Sequence, residues 1–193
     1  MQVAGLVLAA GAGRRLGRPK ATLEVSGERL VDRAVRVLTA AGVHPVHVVL
    51  GAAVVEVAGA HVVDNRDWAQ GMGSSLCAGL ASLPAGVRAV TILLVDQPGV
   101  TAGAVARLLD AGVDDETVAV ATYHGRRGHP VVIGRAYWAD VAASALGERG
   151  ARDFLRTQGD RVVEIECADV ADDTDVDTPA DLQRLGRLSP GPR

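Results

Sequence analysis

The 193-residue chain predicts a single three-layer α/β/α domain built on a mainly parallel, mixed sheet. Three observations lead there. Valine-rich apolar runs alternate with stretches of helical period along the chain, the pattern of strands and helices wound around a parallel sheet. The length suits one domain, burying roughly 70% of the surface its unfolded chain would expose. Polar, charged and glycine-rich segments also follow the apolar runs, and open α/β sheets bind ligands at the carboxyl ends of their strands.

Taken in order, the strand candidates are VAGLVLA (3–9), VHVVLG (46–51), HVVD (61–64), AVTILLV (89–95), TVAVATY (117–123), PVVIG (130–134) and RVVEIE (161–166). Between the first two, Leu30, Val31, Ala34, Val35, Val37, Leu38 and Ala41 form an apolar stripe at helical spacing. A second helix is expected from near Ser74, with Leu76, Leu80 and Leu83 inward. A third follows Thr101 and buries Val105, Leu108 and Leu109. The last starts at Thr178-Pro179-Ala180-Asp181: threonine caps, proline suits the first turn, and Asp181 closes a capping box. The chain reads as one domain over 1–188, and SPGPR (189–193) as a disordered tail.

Composition narrows the function. With 48% hydrophobic and 22% charged residues and a net charge of −3, the chain lacks the basic stripe of a general nucleic-acid binder. Cys77 and Cys167 have no CxxC partner, so no disulfide framework is expected, and Cys77 reads as a buried thiol. No basic segment precedes the first apolar run, and no run approaches the ~18 unbroken apolar residues of a membrane span. A soluble, cytoplasmic protein is the expectation.

The densest local chemistry is LAAGAGRRLGRPK (8–20), directly after the first strand. Its glycines resemble a dinucleotide fingerprint, but that fingerprint must feed a long helix whose amino terminus holds a pyrophosphate. Pro19 pushes Arg18 away from helical angles, and VHVVLGAAV offers no acid at the end of the second strand. A triphosphate cradle accounts better for the same residues. Glycines let successive N–H groups converge on anionic oxygens, while Arg15 and Lys20 can lean onto the phosphates as a planar fork and a point charge. Asp96 ends the most apolar run in the chain, where an unpaired carboxylate is costly and a metal ion is a good partner. Asp175 and Asp177 flank one residue, so in an extended segment both point to the same side and can share magnesium with Asp96. Asp172 and Asp173 read as surface charges.

LAAGAGRRLGRPK resembles the signature LAAGxGxRMGxxK of the MobA-like NTP transferases, with Leu16 in place of the common methionine. NRDWAQGMGSSLCAGL, LLVDQP, GHPVVIG, GERGAR and DVDTPADL also resemble, in order, motifs of the molybdenum cofactor cytidylyltransferase branch. The resemblance implies a Rossmann-like nucleotidyltransferase fold and transfer of CMP from CTP to a phosphorylated pterin, molybdopterin, with release of pyrophosphate. It implies that Leu8, Ala9, Ala10, Gly11, Gly13, Arg15, Lys20, Ser74 and Ser75 surround the nucleotide, Ala10 going with the form that uses CTP. It further implies that Asp96, with Asp177 and Asp175, binds Mg2+, that Arg15, Lys20 and Asp96 carry the catalysis, and that Asn65, Trp68, Gly71 and His129 serve the acceptor. Trp68 can equally pin its loop, a serine can cap the helix, and His129 can be structural. Arg126 and Arg127 can meet an acceptor phosphate or stand in solvent. No general base is needed, because a phosphate monoester, with a second pKa of about 6, is already largely dianionic at neutral pH.

Two other readings stay open. The same branch is similar to a reductase of nicotine blue, so an NAD(P)H-dependent oxidoreductase is one. A non-catalytic carrier handing molybdenum cofactor to a molybdoenzyme or its chaperone is the other. Neither nucleic acid nor membrane is an expected partner.

Overall fold

A computed structural model describes residues 2–188; the segment 189–193, expected to be a tail, lies outside them. Alternation within β1 (Val3–Leu8) sets the architecture, because successive strand residues face opposite sides. Leu6 and Leu8 pack with α2 (Met72–Ser82), α4 (Trp138–Ser144) and α5 (Arg152–Gln158) on one face. On the other, Val7 and Ala9 meet α1 (Leu30–Ala40) and α3 (Ala102–Asp110). The expected three layers result.

A short hairpin, β2 (Glu24–Val25) and β3 (Glu28–Arg29), leads into α1. The main sheet adds β4 (Val46–Leu50), β5 (His61–Asp64), β6 (Ala89–Leu94), β7 (Val118–Tyr123), β8 (Arg126–Gly134) and β9 (Val163–Glu166), in the order β5-β4-β1-β6-β8-β7-β9. All pairings among its described strands are parallel except those of β8, which runs antiparallel between β6 and β7. Successive strands add on one side of β1 through β4 and β5, then cross to β6 on the other. The crevice beyond the carboxyl end of β1 is therefore the switch point where such sheets bind ligands. No described helix is long and apolar enough to cross a membrane.

The structure departs from the sequence reading at three places. HGRRGHP is not a rim loop. It shortens to a two-residue turn, His124 (φ +54) and Gly125 (φ +77), and Arg126 and Arg127 already pair with Tyr123 and Thr122. Left-handed angles at both turn residues match the twist of a tight hairpin, so β8 starts four residues before Pro130. Helix α2 begins at Met72 with Gly71 as its cap residue, so Ser74 and Ser75 lie inside its first turn. Neither caps it; the Ser74 hydroxyl donates back to the Gly71 and Asp67 carbonyls. Helices α4 and α5 were not anticipated, because seven residues each are too few to display a helical stripe. The last helix, α6 (Pro179–Leu188), forms as expected, with Thr178 and Asp181 exchanging hydrogen bonds.

The β7–β8 turn is tied down from β9. The Glu166 carboxylate accepts from the N–H groups of Ala168 (3.0 Å), His124 (3.1 Å) and Gly125 (3.3 Å) and from the Thr122 hydroxyl (3.0 Å). These donors, that of Ala168 foremost, hold its pKa down to about 2. A depressed carboxylate stabilises the fold fully above its ordinary value of 4.5 and loses that contribution as pH falls toward 2. Glu166→Gln should therefore flatten the fall in melting temperature across that window; curves of equal slope for variant and wild type would refute the linkage.

Candidate active site

Residues 9–20 leave β1 at the switch point. Gly13 (φ +58) and Gly17 (φ +73) adopt left-handed angles on either side of a single tight turn, Arg14–Leu16. A Cβ on Gly13 would collide with the Arg18 carbonyl oxygen, so both conformation and space require glycine there. No long helix follows; Pro19 is extended (φ −57, ψ 136). The Lys20 N–H then returns to the Gly11 carbonyl (3.4 Å), which turns the lysine side chain back toward the sheet.

There Lys20 Nζ donates to Asp96 Oδ2 at 2.6 Å and to Asp177 Oδ1 at 2.7 Å. Burial opposes the ammonium charge, but the two carboxylates outweigh it and hold the lysine pKa above its ordinary value. Asp96 comes from the end of β6. Asp177 is brought in because the Val176 N–H donates to the Asp96 carbonyl (2.8 Å) while the Val176 side chain is buried. This leaves Asp175 and Asp177 on the outer side, as their spacing implied. Arg15 is largely exposed and reaches Asp177 at 3.5 Å.

Asp175 does not join Lys20. Its carboxylate accepts from Gln97 Nε2 (2.9 Å). Burial, with Asp96 and Asp177 nearby, pushes its pKa up. Among the described residues no group of three or more His, Cys, Asp or Glu side chains is gathered to hold a metal ion. Asp96 and Asp177 nevertheless aim oxygens at one point, now taken by an ammonium. Magnesium typically takes one or two carboxylates and completes its shell with substrate phosphates and water. The donor set fits that mode.

Two cavities meet over Asp96. One, of about 520 Å3, is walled by the glycine loop from Ala10 to Arg14, by Lys20 and by Trp68, Gly71 and Ser75. Both volumes lie in the range of small-molecule sites. The other, of about 910 Å3, has an apolar floor that includes Ile92, Val120 and Val131, and a rim carrying His129 and several arginines. Leu8, Leu94, Met72 and Glu148 border both.

The expected nucleotide set is largely together. Leu8, Ala10, Gly11, Gly13, Lys20 and Ser75 line the smaller cavity. Ala9 instead packs in the core on the opposite sheet face, and Ser74 supports the Asp67–Gly71 loop. Arg14, rather than Arg15, reaches the cavity wall. The expected acceptor set divides. Trp68 and Gly71 stand beside the glycine loop, with Trp68 packed so closely on Gly51 that a Cβ there would strike it. Asn65 is buried, bonding to the Ser74 and Ser75 hydroxyls (both 3.0 Å). His129 alone lines the larger cavity. Burial lowers its pKa to about 4, opposed by Asp96 and reinforced by Arg152, so the ring is neutral at neutral pH. Asp173, expected at the surface, is mostly covered and approaches Arg126 at 3.7 Å on that cavity's rim. Glu148, Arg149, Arg152 and Arg156 were missed. The GERGAR segment (147–152) was the only signal for the first three and carried no role by itself, and Arg156 lies beyond it.

A phosphate-type glycine loop, a lysine between two carboxylates and two adjoining cavities at a switch point define a nucleotidyltransferase-type α/β enzyme. The chain belongs to the MobA-like NTP transferase family, whose model matches residues 5–162. The manganese complex of Rv0371c from Mycobacterium tuberculosis has the same fold, with a TM-score of 0.80, 27% identity and coverage of 98% of this chain and 100% of that one. The nicotine blue oxidoreductase of Paenarthrobacter nicotinovorans is 40% identical over 197 residues, 95% of this chain and 96% of its own. A probable molybdenum cofactor guanylyltransferase of Opitutus terrae is 40% identical over 106 residues, 52% of this chain and 50% of its own.

Proposed function

We propose that the chain is a divalent-metal-dependent nucleotidyltransferase that transfers CMP from CTP, with Mg2+, to a phosphorylated pterin of the molybdopterin type. The observation that carries this reading is Lys20, held between Asp96 and Asp177 where the two cavities meet. The smaller cavity takes the nucleotide, with its phosphates against the glycine-loop N–H groups and Lys20. The larger takes the acceptor over its apolar floor. An oxygen of the acceptor phosphate attacks the α-phosphorus, the α–β P–O bond breaks, and pyrophosphate leaves with the electron pair. Asp96 and Asp177 would hold the ion, which supplies charge neutralisation at the transferring phosphates. The protein's own part is alignment and electrostatic support, as in phosphoryl transfer generally. The cytosine assignment draws on the motif resemblance, and the pterin assignment on that resemblance and on the molybdenum cofactor guanylyltransferase relative.

A second reading, an NAD(P)H-dependent oxidoreductase, is favoured by one observation, the near-full-length similarity to the nicotine blue enzyme. Hydride transfer has no use for two carboxylates converging on one cation, which is why it ranks second. A thermal-shift panel of CTP, GTP, ATP, NADH and NADPH, each with and without Mg2+, separates the two, because stabilisation follows affinity for the folded state. The expected result is a Mg2+-dependent shift largest with CTP, followed by pyrophosphate release when molybdopterin is added. A metal-independent shift with NADH or NADPH and none with triphosphates would replace the transferase by the reductase.

A further inference from the structure

The larger cavity holds more arginines than the chemistry above uses, and four of its five face a carboxylate. Arg126 faces Asp173 at 3.7 Å and Arg127 meets Glu164 at 2.8 Å. Arg149 and Arg156 converge on Asp153 at 2.9 and 3.4 Å. Arg152 lines the same cavity and, among the described residues, has no ion-pair partner. It opens α5, and its charge and that of Asp96 both reach the His129 ring.

A dianionic nucleophile entering this cavity must approach Asp96 and Asp175, both of which repel it. Lys20 is already committed to Asp96 and Asp177. The other four arginines each face a carboxylate, Arg149 and Arg156 sharing one, so the guanidinium of Arg152, which faces none among the described residues, offers the strongest attraction. Its planar fork suits two oxygens of one phosphate. We infer that Arg152 is the anchor that binds the phosphate monoester of an organic acceptor and positions it beside Asp96. This rests on the transferase reading and deepens it. His129 lines the same cavity, and a ring N–H there can donate to the same group. The floor of Ile92, Val120, Val131 and Leu155 covers the acceptor's apolar body.

The test is calorimetric titration of the full chain with phenyl phosphate, inorganic phosphate and phenol, for wild type, Arg152→Ala and Arg152→Lys, with CTP plus Mg2+ titrated in parallel. Wild type should bind phenyl phosphate more tightly than either inorganic phosphate or phenol. Arg152→Ala should weaken phenyl phosphate by about 10- to 100-fold, the size expected for losing a hydrogen bond to a charged group. Phenol and CTP binding should not change, and Arg152→Lys should fall between. Unchanged phenyl phosphate binding in Arg152→Ala overturns the inference. So does inorganic phosphate binding as tightly as phenyl phosphate, because the site would then not be an organic acceptor's. If CTP fails to bind any form while phenyl phosphate still depends on Arg152, the transferase reading falls and the anion anchor stands.

Discussion

Replacing Lys20 by Met should cut pyrophosphate release by about 10²- to 10³-fold, the usual size of losing one preorganised charge aimed at a transition state. It should at the same time tighten Mn2+ binding measured without nucleotide. The two effects have opposite signs for one reason. Lys20 Nζ lies 2.6 Å from Asp96 and 2.7 Å from Asp177, the place where a divalent ion would sit. The same carboxylates hold its pKa above the ordinary value, so the ammonium does not vacate the site by losing its proton at neutral pH. A metal ion must therefore displace it, and that displacement is easiest when triphosphate oxygens receive the lysine. Methionine keeps much of the length, removes the charge and leaves two carboxylates facing each other. Mn2+ titration followed by electron paramagnetic resonance reads the first-order change directly. Weaker or unchanged binding in the variant would mean that Lys20 and the metal do not share a place.

Asp96→Asn is expected to be at least as damaging to turnover, with a loss of about 10³-fold or more, because it removes one of the two carboxylates available to the ion. Its signature differs from that of the lysine variant. The Val176 N–H bonds to the backbone carbonyl of Asp96, not to its side chain, so the acidic segment stays docked and the fold is retained. Lys20 still has Asp177. Stabilisation by CTP should then persist through the glycine loop but become independent of Mg2+. A thermal shift with the wild-type metal dependence would place the ion elsewhere.

Much of the fold was legible because the signals are local. Apolar runs gave the seven strands of the main sheet within a residue or two at most ends, and only β8 began clearly earlier than its run. Thr101 and Thr178 marked two helix starts, since a cap is a property of four consecutive residues. The glycine loop was legible for the same reason, with Pro19 excluding the long helix of a dinucleotide site. The short α4 and α5 were not legible, and with α5 went Arg152 and Arg156, because their alignment on a cavity depends on how a seven-residue helix docks; Glu148 and Arg149 sit in the Gly147–Arg149 turn between the two helices. Which neighbour of a loop faces inward was also undetermined: Arg14 reaches the cavity wall while Arg15 reaches toward Asp177.

By itself, then, the sequence determined the layered α/β class, the strands, the phosphate-type loop and the chemical character of its candidate groups. Tertiary structure alone decided how those groups combine. Lys20 meets Asp96 and Asp177 across 76 and 157 positions of chain, while Asp175, two residues from Asp177, is drawn off by Gln97. Spacing sets which side of a strand a carboxylate faces. Which partner it finds there depends on the docking of distant segments, and that is set by the packing of the whole core.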